Sequence, residues 1–262
     1  MAKRNVLIET SILDYLKSND CLPIKDAASM FNVSESTIRR IFIRLEEEKK
    51  AVRTFGGLIA APQDNFYSYD LTIQRAKKEK EQIGRYAVNL LTSSDFIYLD
   101  CGTTTAFLAH EIVKAIQDGR LSEKLNIVTN SLVNLEILNP YCNVTLSGGT
   151  LSEKRKSFTG TLCCSLLSRF QFSKGFFGAD GMSYENGFSS DSISVSQLVQ
   201  STIAHTTESY VLIDSAKINK PSYVTYASLN EVTGMITDHM ISKTDQEMLS
   251  HYSLKLLIAS SE

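Results

Sequence analysis

The stretch LPIKDAASMFNVSESTIRRIFIRLEEEKKAVRTFGG, residues 22–57, decides the reading of this chain. Ahead of it, Ile8, Ile12, Leu13 and Leu16 are spaced as one face of a helix, and Pro23 restarts the chain. Ile24, Ala27, Ala28 and Phe31 repeat the helical spacing over a second, short helix. Asn32-Val33-Ser34 then makes a tight turn, and Ser34 is a favourable N-cap for a third helix. In that helix Ile38, Ile41, Phe42 and Leu45 fall at i, i+3, i+4 and i+7, so they face a core and leave Ser36, Arg39, Arg40 and Ile43 pointing outward. Ala51–Ala60 carries Phe55-Gly56-Gly57 between short apolar stretches, which suits a hairpin. Three helices followed by a hairpin wing make a winged helix-turn-helix, the arrangement that places its third helix in the DNA major groove.

A basic helix face is usually just a solvated one, and an isolated Arg-Arg pair would say little. Here the helices, the turn and the wing coincide, and double-stranded operator DNA is the expected partner. Ser34, Ser36, Thr37, Arg39 and Arg40 lie in the N-terminal half of the helix, the part that reaches base edges, where arginine bonds guanine bidentately. Arg44, Lys49, Lys50 and Arg53 are placed to hold phosphates, with Gly56 and Gly57 in the wing against the DNA backbone. Charge alone would not have shown this. Residues 1–60 hold 10 Lys+Arg against 8 Asp+Glu, the remainder 17 against 21, so the cationic signal is local within a chain of net charge −2.

The 262 residues, 43% of them hydrophobic, can bury far more core than the first sixty account for, so two domains are expected. The reading divides the chain into a DNA-binding domain over 1–61, a linker over 62–74 containing PQDNFYSYD, and an α/β effector-sensing and oligomerisation domain over 75–262. Five cysteines with no Cys-x-x-Cys pair indicate reduced thiols, Cys163 and Cys164 among them as packing residues. The four histidines have no metal-ligand spacing, so neither a metal nor a cofactor is expected. Glu9 and Asp14 interrupt the apolar stretch near the start and no later run is long enough to span a bilayer, which predicts a cytoplasmic protein without membrane contact. A helix is expected from Leu71 to Leu91, its run Arg75-Ala-Lys-Lys-Glu-Lys-Glu forming a solvated face.

From Asp95 onward short β-branched runs alternate with helical segments: FIYLD, LNIVT, NVTLS, GFFGAD, YVLID, GMITD and LKLLIA. That alternation predicts a largely parallel sheet covered by helices, with ligands collecting at the carboxyl ends of strands. The loops there are Asp100-Cys-Gly-Thr-Thr-Thr105, Thr129-Asn130-Ser131, Ser147-Gly-Gly-Thr150, Gly178-Ala-Asp180-Gly and Asp214-Ser-Ala-Lys217. Gly102 permits close backbone approach, and Thr103, Thr104 and Thr105 open a helix whose free N–H groups favour an anion such as a phosphate. Both the G-x-G-x-x-G and the G-x-x-x-x-G-K-[ST] patterns are missing, which argues against NAD and ATP. Gly148 and Gly149, followed by Lys154, Arg155 and Lys156, add backbone and cationic groups, with an exposed loop as the equal alternative. Asp100, Asp180 and Asp214 either bond sugar hydroxyls or cap helices and turns.

Both halves resemble the DeoR family of bacterial transcription regulators. The match rests on NVSESTIRRIFIRLEEEKKAVRTFGG and, in order, on LDCGTTT, IVTNSL, LSGGTL, FFGADG and VLIDSAK. The resemblance implies a winged helix-turn-helix joined to an α/β sensor domain similar in fold to ribose-5-phosphate isomerase. It also implies a phosphorylated-sugar effector that changes operator affinity, and a repressor of carbohydrate genes. The implied effector site gathers Asp100, Gly102, Thr103, Thr104, Thr105, Asn130, Gly148, Gly149, Lys154, Asp180 and Lys217. Three departures stand out: Ile41-Phe42 replaces a common Asp-Leu, the helix expected over Ile193–Glu208 begins with the uncharged SISVSQLVQ, and Cys101 stands where serine is common. Operator symmetry predicts a homodimer or homotetramer. Two other readings stay open: a sugar-phosphate isomerase-like enzyme using Asp180 with Lys217 for proton transfer, and a regulator whose C-terminal domain only oligomerises.

Overall fold

The computed structural model describes residues 2–16, 19, 21–48, 50–53, 56–60 and 67–261. Lys49, Phe55 and residues 62–66 of the expected linker lie outside them. The chain divides into two compact units, Met1–Phe66 and Tyr67–Glu262, so Tyr67 to Gln74 of that linker fall within the second unit.

The first unit contains α1 (Ala2–Leu16), β1 (Cys21–Pro23), α2 (Ile24–Phe31), α3 (Glu35–Glu47), β2 (Ala51–Arg53) and β3 (Gly57–Ala60). Local chemistry explains the turn between α2 and α3. Asn32 takes the left-handed conformation that ends α2, and its N–H caps that helix on Ala28 and Ser29. The Ser34 hydroxyl accepts from the Thr37 N–H at 3.3 Å and so starts α3. Ile38, Ile41, Phe42 and Leu45 are buried, as the spacing predicts, against Ile12, Leu22, Ala27 and Leu58. Strands β1, β3 and β2 form an antiparallel sheet in that order, and the β2–β3 hairpin is the wing. Gly57 pairs with Pro23, and a Cβ there would stand 2.6 Å from the Leu22 carbonyl oxygen, so the sheet closes only around glycine.

The second unit opens with α4 (Tyr69–Thr72) and α5 (Lys77–Ala87), followed by β4 (Phe96–Leu99), α6 (Thr103–Gln117), β5 (Asn126–Thr129), α7 (Leu132–Leu138) and β6 (Asn143–Leu146). Next come β7 (Thr150–Ser152), β8 (Ser157–Thr159), α8 (Thr161–Leu167), β9 (Phe172–Gly178), β10 (Gly181–Ser183), β11 (Gly187–Ser190) and α9 (Ile193–Ile203). The chain then runs through β12 (Thr206–Leu212), β13 (Val224–Ala227), β14 (Gly234–Thr237), α10 (Lys243–Leu249) and β15 (Lys255–Ile258). Seven strands form an all-parallel sheet in the order β15-β14-β12-β9-β4-β5-β6. Each of the seven β-branched runs read from the sequence supplies one of them. One apolar cluster gathers on Tyr98, Phe177 and Val211, a second on Ile97, Leu99 and Phe176, as the alternation of side chains along β4 and β9 requires. The order reverses between β4 and β9, the point at which an open parallel sheet leaves a crevice beyond its strand ends.

Three expectations are corrected. The helix read over Leu71 to Leu91 is broken: Ala76 adopts a left-handed φ of 48°, and the carbonyl of Thr72 accepts the Lys80 ammonium at 2.5 Å instead of an α-helical N–H. The run from Arg75 is not wholly a solvated face, because Lys80 is 1% exposed; it shares the inner face of α5 with Ile83, Gly84 and Ala87. The helix expected over Ile193–Glu208 ends at Ile203, since Thr206 and Glu208 pair with Phe172 and Lys174 as the first residues of β12. The β7–β8 hairpin and the small antiparallel sheet β10-β11-β13 have no counterpart in the sequence reading. Among the described residues no helix is long and apolar enough to cross a membrane.

Candidate functional site

On α3 the three hydroxyls expected at DNA cluster at the helix start. Ser34 Oγ lies 2.9 Å from both Ser36 Oγ and Thr37 Oγ1, at the N-terminal end of the helix. Arg39 and Arg40 are exposed one turn further on; Arg39 is 3.5 Å from Glu35, a pair between exposed groups and so a weak one, and Arg40 has no ion-pair partner among the described residues. Arg44 lies 3.1 Å from Glu9, and Arg53 lies 3.6 Å from Glu46, both arginines 43% exposed. Gly56 is exposed at the wing. The structure therefore puts the outward residues of α3 and the wing on one small unit, with Gly57 serving the sheet beneath.

In the second unit, the ends of β4, β9, β11 and β12 meet around a cavity at the switch point. From β4 come Asp100, Cys101 and Gly102, with Thr103 and Thr104 opening α6; from β9 come Gly178, Ala179 and Asp180; Ser190 ends β11 and Lys217 follows β12. Gly102 is what allows this closeness: a Cβ there would lie 3.2 Å from the Gly178 Cα. Tyr67 and Thr72 cover the cavity and Arg155, from the β7–β8 hairpin, enters it. Its volume is about 20 Å³, small against the roughly 300–1,000 Å³ of ligand pockets.

The polar groups here are bonded chiefly to one another. Asp180 Oδ2 accepts from Arg155 Nη2 at 3.0 Å, from Ser190 Oγ at 2.9 Å and from the Asp191 N–H at 3.1 Å. Burial alone would raise the Asp180 carboxyl, but Arg155, Lys217 and these hydrogen bonds hold it below the usual carboxylate range. Asp191 also accepts from Arg155, and burial together with the charge of Asp180 pushes its carboxyl up. Asp100 Oδ2 accepts from the Gly178 N–H at 3.1 Å while its buried Oδ1 has no hydrogen-bond partner, and burial raises this carboxyl. An unpartnered buried oxygen on a residue that lines a cavity is a place where a hydrogen bond from a ligand hydroxyl or a water would offset the cost of burial. Lys217 donates to the Ala179 carbonyl at 3.0 Å and lies 3.4 Å from Asp214. Burial lowers Lys80 to about 8, and the neighbouring Lys217 adds to that effect while Asp214 opposes it.

Of the sequence-derived effector residues, the structure brings Asp100, Gly102, Thr103, Thr104, Asp180 and Lys217 together at this cavity. Thr105 instead ties the loop, its hydroxyl donating to the Asp100 and Gly102 carbonyls at 2.6 Å. Asn130 is buried between Tyr98 and Phe158, accepting from the first and donating to the second. Gly148, Gly149 and Lys154 do not line the cavity; Arg155 is the basic residue of that hairpin that does. Lys80, Tyr67 and Asp191 are additions from the structure. The helical spacing of Lys80 with Ile83 and Ala87 is a visible signal of its burial. Burial holds the Cys101 thiol up at about 12, which leaves it a small packing residue.

The DeoR-like helix-turn-helix domain matches residues 9–63 and the DeoR C terminal sensor domain matches residues 75–239. This chain belongs to the DeoR family. Its members regulate transcription by binding DNA, and both units of this chain carry the family's two parts in order. The HTH-type transcriptional repressor GlcR of Bacillus subtilis is 26% identical over 255 residues, covering 96% of this chain and 95% of that protein. The lactose phosphotransferase system repressor of Staphylococcus epidermidis is 32% identical over 218 residues, 79% of this chain and 82% of that protein. Among solved structures, ribose 5-phosphate isomerase A from Methanocaldococcus jannaschii aligns over 53% of each chain at 17% identity with a TM-score of 0.39.

Proposed function

We propose that this DeoR-family regulator represses genes of carbohydrate metabolism and that a phosphorylated sugar, bound in the cavity at the switch point, sets its affinity for operator DNA. The observation that carries the reading is the convergence of Arg155, Lys217 and the start of α6 on a cavity that also holds the carboxylates of Asp100 and Asp180. Two cations and a helix N-terminus suit a phosphate; buried carboxylates suit sugar hydroxyls. The names of two relatives, a lactose phosphotransferase system repressor and the repressor GlcR, support the same class of target. DNA is read by Ser36, Arg39 and Arg40 at base edges, while Ser34, Thr37, Arg44, Arg53, Gly56 and Gly57 approach or support contacts to the backbone. A homodimer or homotetramer would present two such helices to a symmetric operator.

The isomerase-like alternative needs a carboxylate free to take and return a proton. Asp180 is instead held ionised by Arg155, and Lys217 is engaged with a backbone carbonyl, so a binding site is the better account of these groups. The test is thermal melting of the full chain with phosphorylated and free hexoses, in the wild type and in Lys217→Met. Stabilisation by a phosphorylated hexose that the substitution removes supports the reading; equal response of both proteins refutes it. Turnover of a sugar phosphate abolished by Asp180→Asn would restore the enzyme.

A further inference from the structure

A cavity of about 20 Å³ is too small for a phosphate ester unless part of its lining moves. Most of the lining is anchored in strand ends and the first turn of α6. Tyr67 lies outside those elements, and beside the lining, at the end of β11, the Asp191 carboxylate reaches Arg155. The Tyr67 ring lies over the Arg155 guanidinium, Cζ standing 3.8 Å from the ring centroid. The Asp191 carboxylate takes its hydrogen bond from Arg155, whereas Asp180 has three donors. Both carboxylates share the one nitrogen Nη2. Arg155 is thus shared between two carboxylates, of which Asp180, with three donors and Lys217 also acting on it, is the better held and Asp191 the replaceable one.

We propose that Asp191 and Tyr67 form an internal plug on Arg155, which a phosphate displaces by taking the guanidinium for itself. A phosphate monoester carries close to two charges at neutral pH and matches the guanidinium fork bidentately, so it competes well against a single carboxylate. The displacement has a consequence along the chain. Tyr67 is followed by Tyr69, whose N–H donates to the Lys154 carbonyl at 3.0 Å, and by Asp70, 2.6 Å from Lys156; the segment is thus strapped to the hairpin that carries Arg155. In sequence it is separated from wing strand β3 only by residues 61–66, so releasing Tyr67 releases the end of the connection to the DNA-binding unit. This inference rests on the effector reading above and assigns its entry step.

The chain has no tryptophan, so Tyr67→Trp gives the full-length protein a single indole reporter at the plug. Wild type, Tyr67→Trp and Asp191→Asn are titrated with inorganic phosphate and with glucose 6-phosphate, by calorimetry and by indole emission. The plug predicts that the indole emission of Tyr67→Trp changes and becomes more open to acrylamide quenching on saturation. It also predicts that Asp191→Asn binds inorganic phosphate tighter by roughly fivefold or more, because the buried charged competitor for the guanidinium is gone. Binding by calorimetry with unchanged indole emission, and unaltered or weaker affinity in Asp191→Asn, overturns the plug while leaving the effector site standing. No binding of either probe to any of the three folded proteins overturns both. Asp191→Ser replaces Asp191→Asn if the latter fails to fold.

Discussion

Replacing Lys80 with methionine keeps the length of the side chain and removes its charge, and the structure predicts that the protein becomes more stable. Lys80 is 1% exposed, and burial lowers its pKa from 10.5 to about 8. Lowering it that far penalises the charged form by about 3 kcal/mol at neutral pH. Losing the hydrogen bond to the Thr72 carbonyl costs about 1–2 kcal/mol, leaving a net gain of about 1–2 kcal/mol for Lys80→Met. The pH dependence follows from the sign. The unfolded lysine binds its proton up to about 10.5 and the folded one only to about 8, so wild-type stability rises between these values and the penalty is fully present below 8. Urea denaturation of both proteins at pH 7 and pH 10 decides the matter: the gain for Lys80→Met should be present at pH 7 and shrink at pH 10. A variant less stable than wild type at pH 7 by about 1 kcal/mol or more, with no narrowing at pH 10, would refute the reasoning. A lysine kept at such a cost, within the electrostatic reach of Lys217 and Asp214, is what a site for an anion would retain.

Arg40→Ala should weaken binding to a selected operator by about 1–3 kcal/mol and blur its sequence, whereas Arg53→Ala should weaken operator and random DNA alike and reduce the salt slope by about 1; anisotropy titrations at several salt concentrations separate the two. Gly57→Ala forces a Cβ to within 2.6 Å of the Leu22 carbonyl and should destabilise the first unit by about 1–3 kcal/mol, measured by thermal melting together with loss of DNA affinity. Cys101, raised to about 12 by burial, should resist iodoacetamide at pH 8 in the native protein and react once urea exposes it; rapid native labelling, read by mass spectrometry, would contradict its assignment as a packing residue.

The helix-turn-helix was legible because each of its devices is local. Asn32 ends one helix, Ser34 starts the next within three residues, and the apolar spacing of Ile38, Ile41, Phe42 and Leu45 fixes which face is left for DNA. The parallel sheet was legible for a related reason: a strand buried on both faces reads as a continuous β-branched or aromatic run, as in FIYL and YVL. The cavity was legible only where it is built from strand ends. Arg155, Asp191 and Tyr67 meet through contacts between residues far apart in sequence, with no periodic or motif signature, and Lys154 next door looked equally eligible. The β10-β11-β13 sheet was missed because its strands span only three or four residues and β13 pairs with β11 across α9 and β12.

The most direct test of the central claim begins with a duplex selected from random DNA by the full-length protein at near-physiological salt, where nonspecific attraction to phosphates is weak. Retention of that duplex is then measured against a panel of phosphorylated sugars and their unphosphorylated counterparts. A sugar-phosphate-responsive repressor should enrich a repeated or palindromic site, and a phosphorylated sugar should change its affinity in a way that neither the free sugar nor the Lys217→Met protein reproduces. Enrichment of no site, or an affinity unmoved by every phosphorylated sugar, would contradict the claim.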